Sequence, residues 1–549
     1  MVQPPGLDAI GRGARRLMGG QRGADWWSPR LPRHPMVAAF LLATLLACGC
    51  SGLDEWWHNG FKVGPNYATP AARVAPAWID AGDRHLNSSP ALDCGWWTAF
   101  GDPTLNGLID AAYRENLDLK IAGTRILEAR AQRNIAVGNL FPQSQSALAD
   151  YAHAQVSKNL NVPIGKSLDV WATGFNASWE ADFWGRFRRN VEANNAEVDA
   201  SVQGYRDALV LLLSEVATDY VQLRTYQQRL AYGRRNVEIQ RGSLRLADER
   251  FKKGTATELD VRQARANLAQ TQSLLPPLEA GRRQASHRLS VLLGMPATDL
   301  AGLFPAAAIP KAPIEISVGV PADLLRRRPD ILKAERELAA ESARVGVAES
   351  DFYPRVTLNG FLGYTAKDLD ELFEPKSFTG FILPTVQWPI LNYGRIINGV
   401  RAQDARFQRA ALQYQQTVLT ASQEVEDALA GFLQTQQQAN HLEDDVQQLS
   451  RAVELATDQF EGGLADFNRV FETQSSLVNA EDQLAVARGN IALNLIQAYK
   501  ALGGGWEYFM QPIPQTLPPT AEEVAPRAED KDEIPKPNGA TSVAPNKGG

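Results

Sequence analysis

The chain reads as a mixed, mainly α-helical fold made of two similar halves, each with a short β-hairpin ahead of a very long helical hairpin. Three observations predict it. The second half of the 549 residues restates the first at an offset of about 209 positions. Two segments of about 65 residues, 186–253 and 395–461, run without proline and with almost no turn signals. Ahead of each, the apolar period shifts from 3.6 to 2 residues, the change from helix to strand. No apolar stretch approaches the roughly 20 residues of a helical membrane span, so any crossing of a bilayer falls to strands.

The elements begin with an export signal. Arg12, Arg15, Arg16, Arg22, Arg30 and Arg33 precede a short apolar run, Met36 to Ala47. It ends in Leu45-Leu46-Ala47-Cys48, the small-residue pattern that in a bacterial setting is cleaved before an acylated cysteine. Cys48 is the expected lipid anchor and first mature residue, with Cys50 after Gly49 as the alternative. An ordinary signal with incidental cysteines is the other reading. The long basic region also fits a start at Met18. Residues 1–47 are then a lipoprotein signal peptide and 48–101 an anchored, extended lead-in. Cys94 has no partner once the anchor is acylated, so no disulfide framework is expected. Removing 1–47 takes away six Arg and two Asp and moves the formal charge from −6 to about −10. That balance disfavours nucleic acid as a partner.

Residues 102–310 form the first repeat and 311–505 the second. Three landmarks align them. Gly185-Arg186 answers to Gly394-Arg395, and Phe251-Lys252-Lys253-Gly254 to Phe460-Glu461-Gly462-Gly463. Upstream, Val137 to Pro142 answers to Ala348 to Pro354 with a slightly larger offset, which places an insertion in the intervening loops. Each repeat opens with a helix, at 102–137 and 322–349. Each continues through a β-hairpin, 145–183 and 356–390, into a long helix. A glycine turn then leads to a return helix, 258–293 and 467–502, rich in Ala, Gln and Leu.

The long helices carry matching seams. Val198, Val202, Tyr205, Leu209, Leu212, Val216, Tyr220 and Leu223 correspond to Phe407, Ala411, Tyr414, Val418, Ala421, Val425, Leu429 and Phe432. Spacings of three and four are those of a coiled coil, and a free-standing two-stranded coiled coil fits them equally well. The hairpins alternate instead. Trp171, Thr173, Phe175, Ala177, Trp179, Ala181 and Phe183 interleave with Ala172, Gly174, Asn176, Ser178, Glu180 and Asp182. An aromatic face backed by a polar one is the pattern of a membrane β-barrel strand, with lipid outside and water inside. A half-buried soluble sheet is the alternative. In the other half Phe378, Ile382, Val386, Trp388 and Ile390 share one face, with Pro384 a weakness. The hairpin mates are 145–155 and 356–365. Four strands cannot close a barrel, and lipid tolerates no open edge. The chain must therefore oligomerise, and three copies with twelve strands is the smallest sensible closure.

The chain resembles the TolC and OprM type of outer-membrane efflux proteins, in the lipoprotein branch labelled NodT, over nearly its whole mature length. The resemblance rests on Val63-Gly64-Pro65-Asn66-Tyr67, on Trp96-Trp97-Thr98-Ala99-Phe100-Gly101-Asp102-Pro103 with Leu105, and on Leu325-Arg326-Arg327-Arg328-Pro329-Asp330-Ile331. Ala334-Glu335, Phe352-Tyr353-Pro354, Trp388-Pro389-Ile390 and Gly394-Arg395 extend it. It implies a homotrimer whose twelve-stranded outer-membrane barrel continues into a twelve-helix periplasmic tunnel. It also implies docking of the tunnel tip onto a periplasmic adaptor and, through it, an inner-membrane pump of the RND or ABC type. Gly254-Thr255 and Gly463-Leu464 fall on the adaptor-contact positions, and Asp260 and Glu472 on acidic aperture positions. Phe460 and Ala465 stand where a tyrosine and an arginine would complete the closing network, which leaves Arg469 as a candidate partner for Asp260.

No P-loop accompanies these motifs, so the pump is expected to be a separate chain. Six histidines show no i, i+4 pair and no cysteine partners, and no metal site or cofactor beyond the covalent lipid is expected. No serine-histidine-acid grouping stands out; a conduit, not an enzyme, is expected. Arg326, Arg327 and Arg328 before Pro329-Asp330 read as a charged helix start. Residues 506–549, rich in Pro and mixed charge, read as a disordered tail. A periplasmic scaffold and an adaptor-type module are the competing classes; neither has a use for two barrel hairpins.

Overall fold

The computed structural model describes residues 56–87, 89, 95–155, 167–300 and 307–509. The signal segment, Cys48, Cys50, Cys94 and the chain beyond residue 509 lie outside the described residues. Two units divide the chain, residues 1–60 and 61–549. The described part of the first is a helical turn at Trp56–His58; all that follows belongs to the second.

After a two-residue strand β1 (Leu86–Asn87) come helices α1 (Pro103–Glu115) and α2 (Leu117–Gly138). The single helix expected over 102–137 is thus divided at Asn116. This one residue ends α1, its N–H bonding to Ala112, and starts α2, its Oδ1 accepting from Leu119 N at 2.8 Å. Its amide nitrogen also donates to Leu292 O at 3.0 Å. Next come β2 (Ser144–Gln155), β3 (Ser167–Glu180), α3 (Arg186–Lys252) and α4 (Glu258–Leu292). The second half starts with β4 (Ile316–Ser317), α5 (Leu324–Arg327) and α6 (Pro329–Glu349). The helix expected over 322–349 breaks before Pro329, whose ring holds Arg328 out of the helical region at ψ 118. It ends with β5 (Arg355–Ala366), β6 (Phe378–Gln387), α7 (Arg395–Glu461) and α8 (Phe467–Ala501).

Both α3 and α7 hold 67 residues, about 100 Å at 1.5 Å per residue. Each is entered through a left-handed glycine, Gly185 at φ +83 and Gly394 at φ +80. At Gly185 an added Cβ would also lie within 2.6 Å of the Lys62 side chain, so the lead-in strap passes directly against this turn. The seams pack inside one body, not a free-standing coil: α3 lies against α2, α4, α6 and α8, and α7 against α6 and α8. Leu209, Leu212, Val216, Tyr220 and Leu223 are buried, as are Val418, Ala421, Val425, Leu429 and Phe432. At the upper end Ala193, Ala196 and Ala200 take the buried positions, and Val198 and Val202 are only half covered. α4 carries Pro276 and Pro277 in its interior, where two amide donors are missing.

The largest core lies where the halves meet. Trp96 and Trp97 are 1% and 2% exposed. Trp96 stacks on Tyr499 at 5.5 Å, Trp97 on Phe509 at 5.7 Å, and Tyr113 on Phe509 at 4.1 Å. The disordered tail expected from residue 506 therefore starts too early: Trp506–Phe509 is a 3-10 turn whose aromatic rings complete this cluster. Arg206 lies 4.2 Å over the Trp506 ring. The parallel pairing of β1 with β4, Leu86 against Ile316, adds a second tie between the halves that the sequence did not announce.

Four strands make one antiparallel sheet in the order β2-β3-β5-β6. β3 ends at Glu180 and β6 at Gln387, so Phe183, Trp388 and Ile390 stand past the strand ends that alternation had suggested. Pro384 lies opposite Leu358 in β6, which within the protomer has β5 on one side only. Among the described residues of one chain, β2 and β6 each leave one ladder unpaired.

Candidate functional site in the sheet and the helical tips

The register sorts the sheet into two faces. Phe175 lies opposite Ala147 and Leu362, and Leu362 opposite Gly380. Trp171, Phe175 and Trp179 therefore share a face with Tyr151, Leu358, Leu362, Tyr364, Phe378, Ile382 and Val386. Phe175, Phe378, Ile382 and Val386 are 68%, 56%, 74% and 69% exposed. Such a continuous exposed apolar band is what a sheet facing lipid presents. At the base of the hairpins two indoles anchor the band: Trp179 donates to Leu140 O at 3.2 Å and Trp388 to Phe352 O at 2.9 Å. Phe183 packs edge-on to Trp184 at 4.8 Å beside them. The opposite face carries Ser146, Asn176, Ser178, Asn359, Thr357, Thr365, Thr379 and Thr385, with Ser178 bonded to Asn359 at 2.8 Å.

At the far end, both helical hairpins turn by the same motif. Gly254 N bonds Phe251 O and Thr255 N bonds Arg250 O; Gly463 N bonds Phe460 O and Leu464 N bonds Gln459 O. Both glycines are left-handed, φ +74 and +76, as a Schellman cap requires. Gly254, Thr255, Gly463 and Leu464 all face solvent, Leu464 at 84%.

Asp260 sits one turn above, buried, and its two oxygens are engaged inside the protomer. Oδ2 accepts from Thr257 N and Oγ1 at 2.7 and 2.8 Å, a capping box that starts α4. Oδ1 accepts from Phe467 N at 3.4 Å, tying α4 to the start of α8. Arg469 is not brought to Asp260; it donates to Gln459 Oε1 at 2.9 Å. Glu472 accepts from Asn468 at 2.9 Å, and both Arg469 and Glu472 are exposed.

Sequence reasoning missed two features here. Arg250 crosses from one tip to the other, donating to the carbonyls of Phe460 and Glu461 at the end of α7 and lying 4.9 Å over the Phe460 ring. A cation at that helix terminus is favoured by the helix dipole. Its repeat counterpart is Gln459, so the repeat itself concealed the role. The second feature is a polar seam that joins α8 to α3 and α4. Gln474 bonds Asn267 at 3.1 Å and Ser243 at 2.8 Å, and Asn236 bonds Glu481 at 2.6 Å. Burial pushes the Glu481 carboxyl up, against the Asn236 hydrogen bond. Arg328, read as a charged helix start, is buried; it binds Asp330, Glu424 at 2.7 Å and Ala501 O at 2.8 Å, joining α6, α7 and the end of α8 within the second half. Among the described residues no cluster of His, Cys, Asp or Glu has metal-site geometry, and no helix is long and apolar enough to cross a membrane.

The profile of the family described as outer membrane efflux protein matches residues 108–295 and 320–504. The chain belongs to that family. This efflux channel is 32% identical to the pyoverdine export outer membrane protein OpmQ of Pseudomonas putida over 486 residues, 87% of this chain and 98% of that one. It is 30% identical to nodulation protein T of Rhizobium leguminosarum bv. trifolii, across 82% of this chain and 95% of the relative. Among solved structures, the outer-membrane channel OprN superposes with a TM-score of 0.76 at 31% identity, covering 81% of this chain and 99% of that one. The fold is TolC-like and mainly α-helical, and the molecule is an outer-membrane efflux channel component.

Proposed function

We propose that three copies of this chain join edge to edge, β6 of one against β2 of the next, into a twelve-stranded outer-membrane barrel above a periplasmic helical tunnel. The duct conducts passively, and a separate inner-membrane pump of the RND or ABC type supplies energy and delivers the substrates through an adaptor. The observation that carries this reading is the four-stranded sheet with two unpaired edges and one exposed apolar face, since such a sheet is stable in lipid only when closed. Gly254, Thr255, Gly463 and Leu464 are the adaptor contacts. Arg469 and Glu472, exposed on α8, are the residues through which neighbouring copies meet at the aperture, while Asp260 holds the tip of its own protomer together. Cys48, or Cys50 one residue beyond Gly49, carries the lipid that tethers the lead-in to the outer membrane.

Membranes from cells fed labelled palmitate test both parts. The protein should resist salt washing, emerge in detergent as a heat-resistant trimer, and lose its label in Cys48→Ala. Release by salt would favour a periplasmic scaffold, and full labelling of Cys48→Ala would move the anchor to Cys50.

A further inference from the structure

We propose that Phe361, Phe381 and Leu383 form an apolar collar on the water-facing wall of the barrel, which delays and selects solutes carrying a flat apolar group. The inference rests on the barrel reading above and adds a specificity element to it. By register Phe361 lies opposite Asn176 on one side and Phe381 on the other, and Leu383 lies opposite Asn359. All three residues therefore sit on the polar face, away from Phe175, Leu362 and Ile382. A barrel interior is ordinarily polar; Ser146, Asn176, Ser178, Asn359 and Thr379 on this face follow that rule, and Leu148, opposite Gly174, does not.

The placement of Phe361 is built into the strands. Gly174 and Gly363 are directly paired, and a Cβ on either would come within 3.0 and 2.9 Å of the Phe361 ring. The ring thus lies across a glycine pair that only glycine leaves open. Covering bare glycines is itself a structural use for an aromatic residue, and it accounts for Phe361 alone. Phe381 and Leu383 are 53% and 52% exposed on the same face, with the two phenyl rings 6.0 Å apart and tilted by 37°. They extend an apolar surface toward the edge where the next copy joins, so three protomers would place nine such side chains around the lumen. Hydrated ions gain nothing there, whereas a solute with an aromatic ring exchanges water for ring contact.

The test uses full-length trimers in planar bilayers, with ethidium as the aromatic cation and choline as a cation without a ring, each added to the barrel side. In wild type, ethidium should block in resolved events and choline should not. In Phe381→Ser/Leu383→Ser the ethidium dwell time should fall roughly 2- to 10-fold, the worth of a lost aromatic contact, with choline unchanged. That double variant leaves Phe361 over its glycines, so the strands keep their packing. Unchanged ethidium dwell times in conducting variant trimers would overturn the collar and leave the channel reading intact. Failure of the wild-type protein to form conducting trimers would overturn both.

Discussion

Asp260 and Glu481 show how differently two acids of the helical hairpins are used. Asp260 is satisfied by a helix start, and its second oxygen reaches the neighbouring hairpin. Glu481 lies in the seam between α3 and α8, where burial raises its pKa from an ordinary 4.5 and Asn236 lowers it. Since the folded-state value is the higher one, the folded protein binds this proton more tightly than the unfolded chain. The ionised carboxylate therefore detracts from stability at neutral pH, and the penalty is relieved as pH falls through the folded value and vanishes below 4.5. Glu481→Gln, which keeps an acceptor for Asn236, should melt higher than wild type near neutral pH, with the two curves converging in acid. Equal melting temperatures at neutral pH would show that Glu481 carries no such strain. Asp260 was legible as a residue of interest only through the family resemblance, which puts an acidic aperture position there. Its distant partner was not, because Phe467 is brought to it by a tertiary contact between halves, 207 residues along the chain.

At the scale of elements, periodicity carried most of the information. The long helices announce themselves by repeated apolar spacing and the absence of proline, and the strands β3, β5 and β6 by alternation. What periodicity cannot report is a break made by a single polar residue in mid-pattern. Asn116 divides a helix without interrupting the apolar spacing, because its side chain supplies the missing cap on one side while its backbone closes the other. The converse holds for Pro276 and Pro277, which argue for a break yet lie inside α4. The turn glycines, by contrast, were legible because φ near +75 leaves few alternatives to glycine. Leu464 follows one of them and is 84% exposed, a cost in water with no packing return within the protomer. Leu464→Asp should sharply lower export in cells while the trimer survives heating in detergent to the same temperature. Export at the wild-type level would remove Leu464 from the adaptor contact.

At the scale of the whole molecule, the two halves are one structure and not two domains on a string. Trp96, Trp97, Tyr499 and Phe509 come from opposite ends of the chain and stack in one cluster. The internal repeat revealed the duplication, yet not this joint. Trp96 and Trp97 precede the first repeat and Trp506–Phe509 follow the second, so the repeat pattern holds no counterpart for them. The same logic extends outward, because a sheet with both edges unpaired is an unfinished element until another copy completes it.

Cysteine cross-linking between those edges tests that claim most directly. With Cys48, or whichever lipid-bearing cysteine is required, retained and the others replaced, one cysteine at Thr385 on β6 is combined in turn with single cysteines along β2. Oxidation in intact membranes should give covalent dimers and trimers on a denaturing gel for a narrow band of β2 positions, alternating with every second residue. A gel showing only monomer at every position, from membranes in which the protein is folded, would contradict the account.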